Sequence, residues 1–190
     1  MASYYFTVAS LPQLTYDMSD PPDINTFLEK CNMRLKERDY RYVKNSCLFD
    51  FDTSGKDIHP IYSKWLEWEM SLRNLLVRER ASELKIDPAK YLRRANSTAQ
   101  LHEIVRGAAH AENPLAGEAV LNKARWLFLD ELEAGRHFFD VEKIIIYYLR
   151  LQLIQRKVRF TTDRGKKNFD SNYNKIMENY SQDSVEIVNG

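Results

Sequence analysis

The segment HEIVRGAAH, residues 102–110, carries two histidines and a glutamate in an order that first suggests a zinc-hydrolase helix. That chemistry needs the second histidine four residues after the first, so that both imidazoles reach one ion from one helix face. The residue four after His102 is Arg106, and His110 lies eight residues on. Eight residues span about 12 Å of helix axis, too far for two ligands of one metal. A carboxylate-bridged di-iron bundle needs Glu-x-x-His on two helices. The residues three before His59, His102, His110 and His137 are Lys56, Ala99, Gly107 and Ala134, so that pattern is missing too. No GxSxG nucleophile elbow occurs, and no GxxxxGK or GxGxxG loop shaped to cradle a phosphate. The acidic pairs Glu67/Glu69 and Glu131/Glu133 stand two apart, which on a helix sends them to different faces as solvated surface. Trp65, Trp68 and Trp126 fall on helical stripes without interleaved bases, which predicts core packing rather than base stacking. The expectation is a protein that is not an enzyme and uses no cofactor and no metal.

One charge pattern survives these tests. Between residues 150 and 167, Arg150, Arg156, Lys157, Arg159, Arg164, Lys166 and Lys167 outnumber a single acid, Asp163. Residues 111–142 carry seven acids against three bases. A run of one sign is ordinarily a solvated face. Its other reading is contact with something acidic: a partner protein, a lipid headgroup layer or RNA. The seven bases are therefore the candidate partner-binding residues. Two poles of opposite sign also suit a protein that orients itself between different partners.

The elements that must carry these residues read as helices. Asp23 is placed to cap a helix whose apolar side runs Ile24, Phe27, Leu28, Cys31 and Leu35 within SDPPDINTFLEKCNMRLKERDYRYV. The Asp, Ser and Gly cluster of NSCLFDFDTSGKDIH reads as a loop. Pro60 then opens PIYSKWLEWEMSLRNLLVRERASEL from the first-turn position, with Glu69 and Arg73 as an i,i+4 pair. Asp87-Pro88 predicts a start before AKYLRRA, Ser97 and Gln100 match a capping box, and Asn113-Pro114 opens a helix that stops at Gly135. Asp140 caps a helix whose apolar face, from Val141 to Val158, is wide enough for neighbours on more than one side. A last helix is expected over 165–180. The segment YYFTVAS reads equally as a short strand or a helical start.

Composition agrees with this pattern. Apolar residues make up 44% and charged residues 29% of 190, with six glycines and six prolines, which favours helices over a turn-rich β-sandwich. A chain of this length buries roughly 70% of its unfolded surface without staples. The 28 Lys and Arg against 27 Asp and Glu leave no overall field for nucleic acid. Cys31 and Cys47 form no CxxC pair and read as reduced cytosolic thiols. A membrane span needs about 20 nearly uncharged residues. Glu142, Lys143, Arg150, Arg156 and Lys157 interrupt every such window of FFDVEKIIIYYLRLQLIQRKVRF, so no transmembrane segment is expected. The predicted fold is an all-α bundle of six to seven helices. It forms one domain over 1–180, with 58/59 as the candidate boundary of two sub-lobes and 181–190 as a flexible tail.

Three segments carry a family resemblance. YYFTVASLPQL, WEMSLRNLLVRERASEL and NPLAGEAVLNKARWLFLDELEAGRHFFDVEKIIIYYLRLQLIQR together resemble a small bacterial family encoded among the genes of V/A-type (vacuolar/archaeal-type) ATPases. The operons concerned lack the standard funnel-like connector, the component lettered C in these enzymes and d in the eukaryotic one. The family is similar to that connector in placement. The resemblance implies a connector-like helical body that links the central-stalk subunits of a V-type ATPase to the proteolipid rotor ring. It would lie in the cytoplasm, peripheral on the inner face of the membrane, with no nucleic-acid partner. The alternative is a generic helical protein–protein adaptor, with an RNA-binding module behind it.

Overall fold

The structure is a computed structural model, and it describes residues 4–93, 99–134, 139–160 and 170–174. Its longer elements are α1 (Tyr5–Ala9), α2 (Ile24–Arg34), α3 (Glu37–Asn45), α4 (Pro60–Leu84), α5 (Ala99–Ala109), α6 (Pro114–Glu133) and α7 (Val141–Arg159). A 3-10 turn, Ala89–Tyr91, lies between α4 and α5. The described residues contain no strand, and the expected all-α bundle is the observed architecture. No helix among them is long and apolar enough to cross a membrane. The chain divides into two compact units, Met1–Gln155 and Arg156–Gly190.

The helix starts obey the predicted caps. The Asp23 carboxylate accepts from the Thr26 amide at 2.8 Å, the Asn113 side chain from Ala116 at 2.8 Å, and Asp140 from Lys143 at 3.1 Å. Each supplies an acceptor to an amide that has no partner inside its helix. Ahead of Pro60 the cap is His59, whose Nδ1 accepts from the Ile61 amide at 3.2 Å. YYFTVAS resolves as helix α1.

The helix ends depart more from expectation. The stretch after Asp23 is two helices, because Leu35 and Lys36 are extended between α2 and α3. Tyr4 holds that break open: its hydroxyl accepts from the Lys36 amide at 3.3 Å and donates to the Asp39 carboxylate. Helix α4 stops at Lys85, which takes a left-handed conformation with φ 55° where no glycine marks the stop. Within AKYLRRA, Ala89–Tyr91 form a 3-10 turn and Leu92 is extended. Asn74 of α4 fixes the extended chain there, accepting from the Arg93 amide at 2.9 Å and donating to its carbonyl at 2.6 Å. Ser97 of the capping box, Gly135 and the tail lie outside the described residues, as does 165–180 apart from 170–174, which is helical.

In the first unit, every residue from Ile144 to Leu149 is buried, which a one-faced amphipathic helix does not allow. Helix α7 is central. Phe27 of α2 stacks on Tyr147 and Tyr148 at 5.3 and 5.5 Å between ring centroids. Gln152 accepts from the Leu48 amide at 3.0 Å and donates to the Ser46 carbonyl at 2.9 Å. A further apolar cluster joins Leu72 and Leu75 of α4, Leu101 and Val105 of α5, and Leu121 of α6.

At the entry to α6 the packing leaves no room for a side chain. A methyl group at Gly117 would stand 2.6 Å from the Ala108 carbonyl oxygen of α5. Gly117→Ala should therefore force α5 and α6 apart and cost about 1–3 kcal/mol, as overpacking does. Thermal unfolding measures this, and an unchanged Tm would show that the close approach is not a constraint.

Candidate functional site

Helix α4 places Trp65, Glu69, Leu72 and Leu76 on one stripe at 3–4 spacing, and α6 does the same with Leu121, Arg125 and Leu129. The two charged members meet in the interior. Glu69 is 0% exposed and Arg125 is 4% exposed. The Arg125 fork donates to both carboxylate oxygens of Glu69, from Nε at 2.9 Å and from Nη2 at 3.0 Å. Its remaining nitrogen, Nη1, donates to Glu118 at 3.1 Å and to Asn122 at 3.0 Å. Arg73 adds the predicted i,i+4 bond to Glu69, at 3.1 Å. Burial opposes the Arg125 charge, but Glu69 and Glu118 outweigh it and hold the guanidinium pKa above its ordinary value. The expectation that Glu69 is solvated surface is thus wrong; Glu67 is exposed, whereas Glu69 lies on the stripe between Trp65 and Leu72.

Two aromatic rings close over these charges. Phe49 lies 5.0 Å from the Arg125 guanidinium and 5.1 Å from that of Arg73, and Phe51 lies 4.3 Å from Arg73. The loop that carries them is tied to α4 by the Tyr62 hydroxyl, which donates to the Cys47 carbonyl at 2.7 Å. Both Glu69 oxygens accept from arginines. This arrangement braces α4 against α6.

The predicted partner-binding bases separate into different environments. Arg150 bonds Asp130 and Glu133 on α6 and lies 5.3 Å from the Trp126 ring, and Lys143 also pairs with Glu133. Burial pulls the Arg150 pKa below the usual arginine value, and the Asp130 charge offsets part of that. Arg150 is therefore an internal tie of the first unit. In the second unit Arg156 and Lys157 are half-buried and Arg159 is exposed. The Arg156 guanidinium lies 4.6 Å from the ring of Phe160, which is 53% exposed. Arg164, Lys166 and Lys167 lie outside the described residues.

Other polar groups of the described residues lie apart from this tie. A cavity of about 340 Å³ beside the α5–α6 turn is lined by Glu79, Glu83, Glu112 and Glu118 together with Arg80. No three His, Cys, Asp or Glu side chains among the described residues are grouped to hold a metal ion. His102 on α5 and His110 in the turn after it are both exposed. Cys31 and Cys47 are free thiols. Burial pushes the Cys31 pKa up to about 12, and burial followed by the Asp50 charge raises that of Cys47.

Residues 95–180 match a family model described as a protein of unknown function, DUF2764. The matched stretch contains α5, α6 and α7, with Arg125 and the α7 bases, and leaves Glu69 outside. No curated protein and no solved structure matches the chain.

Two outcomes follow from this geometry. Glu69→Gln leaves Arg125 buried without its main counter-charge and should cost about 3 kcal/mol, whereas the apolar pair Glu69→Leu/Arg125→Met should cost less. Urea unfolding of both variants decides it; a single change no costlier than the double would mean the ion pair does not hold α4 to α6. In the native chain at pH 8, iodoacetamide should label Cys47 well before Cys31, as followed by mass spectrometry. Equal rates would contradict the burial of Cys31.

Proposed function

We propose that the chain is a non-catalytic connector of a bacterial V/A-type ATPase, joining the central stalk to the rotor ring on the cytoplasmic side. The observation that carries the reading is the coincidence of resemblance and framework. The segments that resemble the ATPase-associated family are α1 and much of α4, α6 and α7, four of the seven α-helices described in the chain. A connector must pass force through its own body, and close-packed helices with low compressibility suit that task better than loops do. The buried tie between α4 and α6 supports the same reading, because it resists sliding of one helix along the other.

A connector also needs charged surface for its partners. Arg156, Lys157 and Arg159, half-buried or exposed at the end of α7, are the candidates among the described residues. A helical adaptor for some other acidic protein is the second reading, favoured by the same bases. ATPase genes on both sides of the coding gene would favour the connector, and their absence would favour the adaptor.

Arg156→Glu together with Lys157→Glu should weaken binding to purified stalk and proteolipid ring by about tenfold or more, while helical content is kept. Binding at wild-type strength would remove these bases from the interface. Affinity purification from native membranes, read by mass spectrometry, should recover stalk and proteolipid components with the wild-type chain. Recovery of neither would overturn the connector.

A further inference from the structure

A groove of about 370 Å³ lies between α4, α5 and α6 of the first unit, and none of the α7 bases lines it. Trp68 and Phe128 line it as a stacked pair, with centroids 4.6 Å apart and 8° between their planes. Ile104 of α5 and Leu127 of α6 add apolar surface, and Leu127 is 50% exposed. The lining residues follow 3–4 spacing on both flanking helices, Leu101 and Ile104 on one, Ala124, Leu127 and Glu131 on the other. Such a groove runs along helix axes, the geometry that accepts the i, i+3, i+4 and i+7 side chains of a further helix.

The charge of the groove selects among helices. Its charged lining residues, Asp130 and Glu131, are both acidic and stand in the last turn of α6, where the helix dipole is negative. Asp130 is engaged by Arg150. Glu131 is exposed and has no ion-pair partner among the described residues. An apolar trough with one unneutralised carboxylate at its end complements an apolar stripe flanked by a cation. We propose that this groove docks an amphipathic helix of a partner protein, with a Lys or Arg of that helix meeting Glu131. The proposal stands on the groove alone and does not rest on the ATPase reading.

The test is fluorescence anisotropy of the full chain with a fluorescein-labelled synthetic helix of leucine and lysine, its leucines at i, i+3, i+4 and i+7. Binding should be saturable and stronger than that of the matching leucine–glutamate helix. Leu127→Asp should abolish it, and Glu131→Lys should weaken it about tenfold. Glu83→Lys, in the acidic cavity beside the α5–α6 turn, should leave it unchanged, with circular dichroism confirming that each variant folds. No saturable binding, equal affinity for the two helices, insensitivity to Leu127→Asp and Glu131→Lys, or equal loss with Glu83→Lys would overturn the proposal. So would a dimer in sedimentation that Leu127→Asp dissolves, since the groove would then belong to a second copy of the chain.

Discussion

Glu69 and Arg125 leave water together, and the arrangement of the first unit depends on their doing so. An ionised carboxylate or guanidinium costs several kcal/mol to bury alone, and the cost is offset only when the partner stands in hydrogen-bonding geometry. A bidentate fork meets that condition at one register of α4 against α6 and fails if either helix slides by a residue. The neighbours share that register. Trp68 of α4 stacks on Phe128 of α6, and Phe49 sits over the two arginines. The interior is thus fixed by polar geometry on one side and by ring packing on the other.

The uneven distribution of charge along the chain has a similar internal component. The acids of α6 and the first base of the 150–167 run meet within the first unit, where Arg150 joins Asp130 and Glu133 beside Trp126. Part of what reads in sequence as two opposed poles is a helix-to-helix tie. The bases that keep access to solvent begin in the second unit, at Arg156, Lys157 and Arg159.

Helix beginnings were legible because their causes are local. Asp23, Asn113 and Asp140 cap amides three residues away, and proline at the first turn needs no partner at all. Helix ends were less legible because theirs are not. The break after α2 depends on Tyr4, more than thirty residues upstream, and the extended chain at Arg93 depends on Asn74. The buried ion pair was missed, although the sequence holds a signal for it. Glu69 and Arg125 each interrupt an apolar stripe, and a charge in such a position signals a buried partner. Which partner it is depends on how two residues 56 apart in the chain come to lie together, and periodicity within one helix does not carry that.

Helix α7 finds its partners far behind it in the chain. Its hydrogen bonds to Leu48, Ser46 and Pro22 close loops of 104, 106 and 133 residues. Long loops must be closed before these bonds are gained, which places the fold toward the slower end for helical proteins. During synthesis, α2 and the segment after α3 therefore emerge with their apolar faces uncovered and stay so until the central helix leaves the ribosome. Over that interval the nascent chain presents the sticky surface that chaperones hold.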